Sequence, residues 1–400
     1  MNELMDMDKK NIAGTYARYE RVIDHGSGPV CVDTEGRELI DFTAGIGVNS
    51  LGFCDPDWVS AVSGQTAKLQ HVSNLYYSRP QIELAAMLTA RTAMSRVFFG
   101  NSGAEANECA IKTARKYGNS RSGNTRNKII TISDSFHGRT MATITATAQE
   151  EFHQDFFPFV DGFAYCPAGD IVALEKLADD KTCAVMVELI QGEGGVIVQD
   201  IDYIKALAEL CRERDILLIV DEVQTGVGRT GTLFAYEQYG IEPDLVTFAK
   251  GMGGGLPIGG VLFNKKTAAV LKPGDHGTTF GGNPVVCAGA IAVLNRLTPD
   301  FLAAVAAKGR YIMERLTEMD GIENVDGRGL MIGFQVKGRE PGQVVSDCLE
   351  QGLMLLTAHA KVRMLPPLII DQKNIDRGLE ILEKTVSGKA VKCPGSRLEP

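Results

Sequence analysis

The chain has no C-x-x-C pair, no G-x-x-x-x-G-K-[ST] phosphate loop, no block of basic residues and no visible internal repeat. Each absence removes a class of function. Crossing a bilayer takes about 18–20 consecutive apolar residues, and no stretch reaches that length, so no membrane span is expected. Met1 to Lys10 alternates acids, bases and methionines and lacks the apolar centre of a signal peptide. The 41 basic and 50 acidic residues leave a formal charge of −9, which argues against a general nucleic-acid binder. The nine cysteines (Cys31, Cys54, Cys109, Cys166, Cys183, Cys211, Cys287, Cys348 and Cys393) are odd in number and scattered, and the six histidines do not cluster at ligand spacing. That pattern implies reduced, mostly buried thiols in a cytoplasmic protein with no structural metal.

What is present is a 400-residue chain, 44% apolar and 23% charged. That is enough for roughly two domains of about 100–200 residues each. Short apolar runs alternate with helical patterns. The strand-like pieces are Arg96 to Phe99, Lys128 to Ile132, Cys183 to Val187, Ile216 to Val220, Leu245 to Ala249 and Gly260 to Phe263. Helical stretches include Ala104 to Tyr117 and Ile204 to Arg214. Strands separated by helices predict a mainly parallel sheet covered on both faces. Past Asn283-Pro284 the composition shifts to long helices, Val285 to Leu297 and Phe301 to Met319, then a strand at Gly329 to Phe334. The expected organisation is α/β. A large domain spans 61–284 and a smaller α+β domain 285–400, completed by an N-terminal segment, 1–60, with a hairpin at Val30 to Phe42. The end of the chain from Gly388 is expected to be a loose tail.

Two strand-like runs end on charges, Asp221 and Lys250. Ligand crevices of open α/β sheets lie outside the carboxyl ends of the strands, so both charges can face one pocket. Lys250 opens Gly251-Met252-Gly253-Gly254-Gly255, which lets backbone approach a ligand. A buried lysine has a lowered pKa, and its neutral amine attacks aldehydes. A lysine able to form a Schiff base, with an acid nearby to protonate a ring nitrogen, matches pyridoxal 5'-phosphate. Gln224, three residues past Asp221, is in reach of the cofactor's phenolic oxygen. Asn101-Ser102-Gly103-Ala104 stands between a strand and a helix, either as a phosphate site or as an ordinary helix cap. Phe136-His137-Gly138-Arg139 offers a stacking ring and a carboxylate clamp, or equally a core ring and a surface ion pair. Gly277 to Pro284 is a loop of small donors. Arg363, among apolar residues, needs an acid, and Glu193 is one possibility. Gly226-Val227-Gly228-Arg229-Thr230-Gly231 has dinucleotide spacing. However, Asp221 to Thr225 separates it from its strand and Arg229-Thr230 opens a helix poorly, so nicotinamide binding is not expected.

Together these stretches resemble the class III (ornithine/acetylornithine-type) aminotransferases of fold type I. The resemblance runs from about Thr15 to Val386. It rests on Ser73 to Tyr77, Phe99 to Asn107, Phe136 to Thr140, Asp221 to Gly226, Ala249 to Gly255 and Arg363 to Leu368, all in the family's order. It implies a seven-stranded large-domain sheet, with Lys250 as the Schiff-base lysine and Asp221 at the pyridine nitrogen. Ser102, Gly103 and Ala104 then lie at the phosphate, Phe136 and His137 at the ring, and Gln224 at the phenolic oxygen. Thr279 would reach the phosphate in a neighbouring subunit, which implies a homodimer with interfacial active sites. Arg139 with Thr278 would hold the distal carboxylate of N2-acetyl-L-ornithine. Arg363 would hold the α-carboxylate of glutamate or 2-oxoglutarate and be neutralised by Glu193 in between. Ornithine, succinylornithine and 4-aminobutyrate remain open as amino donors, as does an aminomutase; a catalytically silent, ligand-binding relative should lack Lys250 or Asp221, and this chain keeps both. Leu189 and Glu20 stand where the family usually has proline.

Overall fold

The computed structural model describes residues 3–387, so the expected tail from Gly388 and Cys393 lie outside the described residues. The large sheet has seven strands: β1 (Arg96–Gly100), β2 (Lys128–Ile132), β3 (Phe163–Cys166), β4 (Thr182–Val187), β5 (Leu217–Asp221), β6 (Leu245–Phe248) and β7 (Gly259–Phe263). Their order is β1-β7-β6-β5-β4-β2-β3. All neighbours pair parallel except those of β7, which runs antiparallel to both β1 and β6.

The runs are unbroken apolar because both faces are covered. In β5, Leu217 and Ile219 join Ala106, Ala110 and Ile111 of helix α1 (Gly103–Ser122) in one buried cluster. Leu218 and Val220 join Ile204 and Leu207 of the helix Ile201–Glu213 in another. The period-two alternation of a strand is therefore present in space though invisible in residue type. Among the described residues no single helix is long and apolar enough to cross a membrane. The pair Pro284–Arg296 and Pro299–Thr317 passes that test together but bends by 76°.

The expected hairpin exists. Val30–Asp33 pairs antiparallel with Glu38–Asp41, and Leu353–Met354 joins the latter in parallel. A second antiparallel sheet contains Ile322–Arg328, Met331–Val336, Lys361–Met364 and Leu356–Ala358, and its third strand carries Arg363. The glycine triplet at 226, 228 and 231 opens no helix. Its loop is buried, with φ +86° at Gly228 and +95° at Gly231, and Arg229 Nη1 donates to the carbonyls of Leu330 and Pro366. It joins the large sheet to the C-terminal segment. Leu189 tolerates its position because its backbone contribution is a carbonyl, which proline also has: it accepts Tyr239 Oη at 2.9 Å and the Gln199 N–H at 3.0 Å.

Candidate active site

Five strand ends meet at one edge of the large sheet, around a cavity of about 450 Å³. β1 leads into Ser102 and Gly103, β2 into Phe136 to Arg139, β4 into Glu188, β5 ends on Asp221, and β6 leads into Lys250.

Asp221 is 4% exposed. Its Oδ2 accepts from Asn107 Nδ2 at 2.8 Å and lies 2.7 Å from His137 Nδ1, while Oδ1 accepts the Val223 N–H at 3.0 Å. A carboxylate out of water needs such donors. Asn107 also donates to the His137 carbonyl at 2.7 Å, locking acid and imidazole together. The neighbouring Glu222 points the other way, accepting from Thr225 Oγ1 at 2.6 Å and the Tyr236 N–H at 2.7 Å. One acid of the pair serves the cavity and the other the core.

Lys250 follows β6 on a tight turn, Lys250–Gly253, and holds φ +42°, a left-handed conformation that costs a residue with a side chain about 1–3 kcal/mol. The turn is pinned from outside: Ser50 Oγ donates to the Gly251 carbonyl at 3.2 Å and Trp58 Nε1 to the Gly253 carbonyl at 3.0 Å. Burial pushes the Lys250 ammonium down to about 8, with Glu193 opposing and Arg363 adding to the fall. Among the described residues nothing hydrogen-bonds its Nζ.

Arg363 is 2% exposed. Its Nη1 and Nη2 donate to Glu193 Oε1 and Oε2 at 2.7 and 3.1 Å, a bidentate pair, and Nη1 also reaches Gln224 Oε1 at 3.0 Å. Gln224 Nε2 donates to Glu193 Oε1 at 3.2 Å. Glu193 sits on a glycine-rich tip between the paired strands Ile190–Gln191 and Ile197–Val198. Burial pushes its carboxyl up, but Arg363, with Lys250 and Gln224, more than reverses this and holds it below its ordinary value.

Ser102 caps α1, accepting the Glu105 N–H at 3.1 Å. The Gly103 and Ala104 N–H groups have no acceptor among the described residues. A Cβ on Gly103 would lie 2.7 Å from Val223 Cγ1, which no real side chain tolerates. Gly103→Ala is therefore expected to destabilise the protein by about 1–3 kcal/mol. The check is a lower urea midpoint at unchanged m-value.

Phe136 and Arg139 both line the cavity, and Arg139 is exposed at its mouth. Thr278 lies behind β1, its Oγ1 accepting from Asn101 Nδ2 at 2.9 Å, and Thr279 is exposed. Neither threonine lines this cavity, and Arg363 meets it only through Glu193 and Gln224. Two residues were missed in the sequence. Glu188 accepts the N–H groups of Phe136 at 2.7 Å and Gly192 at 3.3 Å; burial drives its carboxyl up to about 7, with His137 opposing and Asp221 adding. Its signal was an acid closing an apolar run, the same that singled out Asp221. Asn107 had a signal too: a polar residue on the helix face that carries Ala106, Ala110 and Ile111.

The profile of the family Aminotransferase class-III matches residues 12–386. The chain belongs to the class III aminotransferases. This class III aminotransferase is similar to the acetylornithine aminotransferase of Haemophilus ducreyi, at 49% identity over 96% of this chain and 99% of that protein. The N-acetylornithine aminotransferase of Stenotrophomonas maltophilia K279a superposes with a TM-score of 0.83 at 36% identity, covering 96% of this chain and 98% of that one. The ornithine aminotransferase of Toxoplasma gondii, solved with PLP partially occupying its active site, superposes at 0.91 with 31% identity over 96% and 94%.

As a class III aminotransferase the chain is a pyridoxal-phosphate-dependent transaminase of fold type I. The cavity residues fit that cofactor. Two free N–H groups at the positive end of a 20-residue helix suit a phosphate. A buried carboxylate suits a protonated ring nitrogen, and an amine with a lowered pKa suits an aldehyde.

Proposed function

We propose that this transaminase moves the terminal amino group of N2-acetyl-L-ornithine to 2-oxoglutarate; relatives named acetylornithine aminotransferase support the choice of donor. One observation carries the reading: Arg363 is already neutralised by Glu193, while Arg139 has no acid partner among the described residues. A donor reacting through a terminal amine brings no carboxylate to the reacting carbon, and a bare Arg363 there would be a costly buried charge. Its carboxylate lies at the far end, where Arg139 is free. Glutamate needs the opposite arrangement, with Glu193 withdrawn and Arg363 open.

When bound, pyridoxal phosphate supplies an aldehyde that takes up amines and a ring that accepts the electron pair left by a departing proton. The rest falls to the chain. Gly103 and Ala104 N–H groups and Ser102 would hold the phosphate, Phe136 and His137 would flank the ring, and Gln224 would reach the phenolic oxygen. Asp221, held in place by Asn107 and His137, would keep a proton at the ring nitrogen. Lys250 would move the proton to and from the substrate carbon as general base and acid.

The lysine must first be neutral to attach the aldehyde. Its ammonium titrates at about 8, so covalent uptake of cofactor by apoenzyme is expected to accelerate as pH rises through that value and to level off above it. Stopped-flow absorbance checks this; a rate flat across that range would refute the role of the low pKa.

The reading also includes a homodimer. Leu75, Tyr76, Tyr77 and Phe280 are exposed, Tyr77 by 96%, on one face held together by Asn74 Nδ2 donating to the Gly281 carbonyl at 2.8 Å. An apolar face of this kind favours a covering copy, and Thr279 on the same loop would reach the partner's cavity. A cytoplasmic location accords with eight free cysteines among the described residues, seven of them buried.

The deciding experiment mixes holoenzyme with single donors and follows the cofactor's visible band. Acetylornithine should convert it fastest, ahead of ornithine and 4-aminobutyrate. An equal or faster response to 4-aminobutyrate would overturn the substrate assignment.

A further inference from the structure

The cation at the cavity mouth is held by rings instead of acids. Arg139 Cζ lies 4.1 Å from the centroid of Phe152 and 5.5 Å from that of Phe136. The two rings meet edge to face, with centroids 5.5 Å apart at 74°. No hydrogen bond or ion pair restrains the guanidinium among the described residues, so aromatic faces set where it sits. Phe152 ends a short helical turn, Glu150–Phe152, whose start is fixed by Gln149: the Phe152 N–H donates to the Gln149 carbonyl at 3.1 Å. Gln149 is itself 4% exposed. Its Nε2 donates to the carbonyls of Asp134 and Ser135, at 3.0 and 3.1 Å, immediately before Phe136. Its Oε1 lies 3.0 Å from His359 Nε2, in the turn between Leu356–Ala358 and Lys361–Met364. The latter strand carries Arg363. One buried amide thus connects the turn under Arg139 with the hairpin of Arg363.

We propose that Phe152 is a positioning residue: its ring face, anchored through Gln149, holds Arg139 where a donor's distal carboxylate arrives, and so selects donors that carry one. The inference rests on the assignment of Arg139 to that carboxylate. An aromatic face orients a guanidinium without neutralising it, whereas an acid would compete with the substrate. It also leaves the charge available at modest cost in side-chain freedom.

The test uses holoenzyme and three ligands. These are acetylornithine, N-acetyl-1,4-diaminobutane (the same donor without its carboxylate) and N-acetyl-L-norvaline (the same carboxylate without the reacting amine). Phe152→Leu is expected to raise the KM for acetylornithine about tenfold, within the range of a cation–π contact, with kcat little changed. The KM for N-acetyl-1,4-diaminobutane should stay within twofold. Calorimetric Kd for N-acetyl-L-norvaline should weaken by the same factor as the acetylornithine KM. Phe152→Trp, which restores a ring face, should recover both. Equal losses for the two donors, or no rescue by tryptophan, would mean a merely structural ring and overturn the proposal. Arg139→Gln separates the two levels. If it does not discriminate between the donors, the assignment of Arg139 fails; if it does and Phe152→Leu does not, the positioning role alone fails.

Discussion

Lys250→Ala is expected to lose turnover by about 10⁴-fold or more, because one side chain provides both covalent attachment and proton transfer, and the latter alone is worth about 10²–10⁴. The variant should still bind cofactor through the helix N-terminus and Asp221. Borohydride treatment followed by intact-mass measurement should add one reduced cofactor group (the cofactor less one oxygen, since water leaves and two hydrogens are gained) to the wild type and nothing to the variant. Wild-type turnover in the variant would remove the mechanism. Stability supplies an independent control. The folded ammonium titrates at about 8 against an ordinary 10.5, so the folded state disfavours its charge. That penalty is fully present below about 8 and fades as pH rises toward the unfolded value. Apoenzyme carrying Lys250→Ala should therefore be more resistant to denaturant than wild type at neutral pH, and the difference should vanish in alkali. Inactivity with a gain in stability cannot be attributed to misfolding.

Asp221→Asn is expected to cost about 10²–10³-fold in both half-reactions, the scale for losing one preorganised electrostatic partner. The amide preserves shape, but its neutral oxygen no longer holds a proton on the ring nitrogen, and its NH₂ replaces one of the two oxygens that face Asn107, His137 and Val223, setting donor against donor. Cofactor stoichiometry, measured by release and absorbance, should remain near one per chain, which assigns the loss to chemistry. Rates within threefold of wild type would show that the carboxylate is dispensable. Because both half-reactions use the same ring, an effect confined to one substrate would also contradict the role.

Much of this architecture was legible because burial on two faces writes itself into residue type. Leu217 to Val220 and Leu245 to Phe248 are unbroken apolar runs, and a charge at the end of such a run has little choice but the sheet edge. Direction was not legible. β7 is as apolar as its neighbours yet runs antiparallel, which only its pairing with β1 and β6 reveals. β3 escaped notice because Phe163 to Cys166 is only four residues long and forms an edge of the sheet. In the site, single charges at strand ends were legible from residue type, whereas the pairing of Glu193 with Arg363, which the structure shows, was only one possibility there and came otherwise from the family resemblance. Glu193 and Arg363 are 170 positions apart, and nothing local records that they meet. Gln224 was read as a cofactor ligand, and its tie to Arg363 and Glu193 is a tertiary fact. Ser102 proves to be a helix cap as well as a cavity residue, so the two readings of that turn were never exclusive.

Trp58, whose indole N–H holds the Gly253 carbonyl, is the sole tryptophan of the chain. All indole emission of this enzyme therefore originates at a side chain hydrogen-bonded to Gly253, the last residue of the turn that Lys250 begins. Ultraviolet fluorescence becomes a single-site optical probe, in which energy transfer to a bound chromophore reports loading and a spectral shift reports loosening of the lysine turn, with no label introduced.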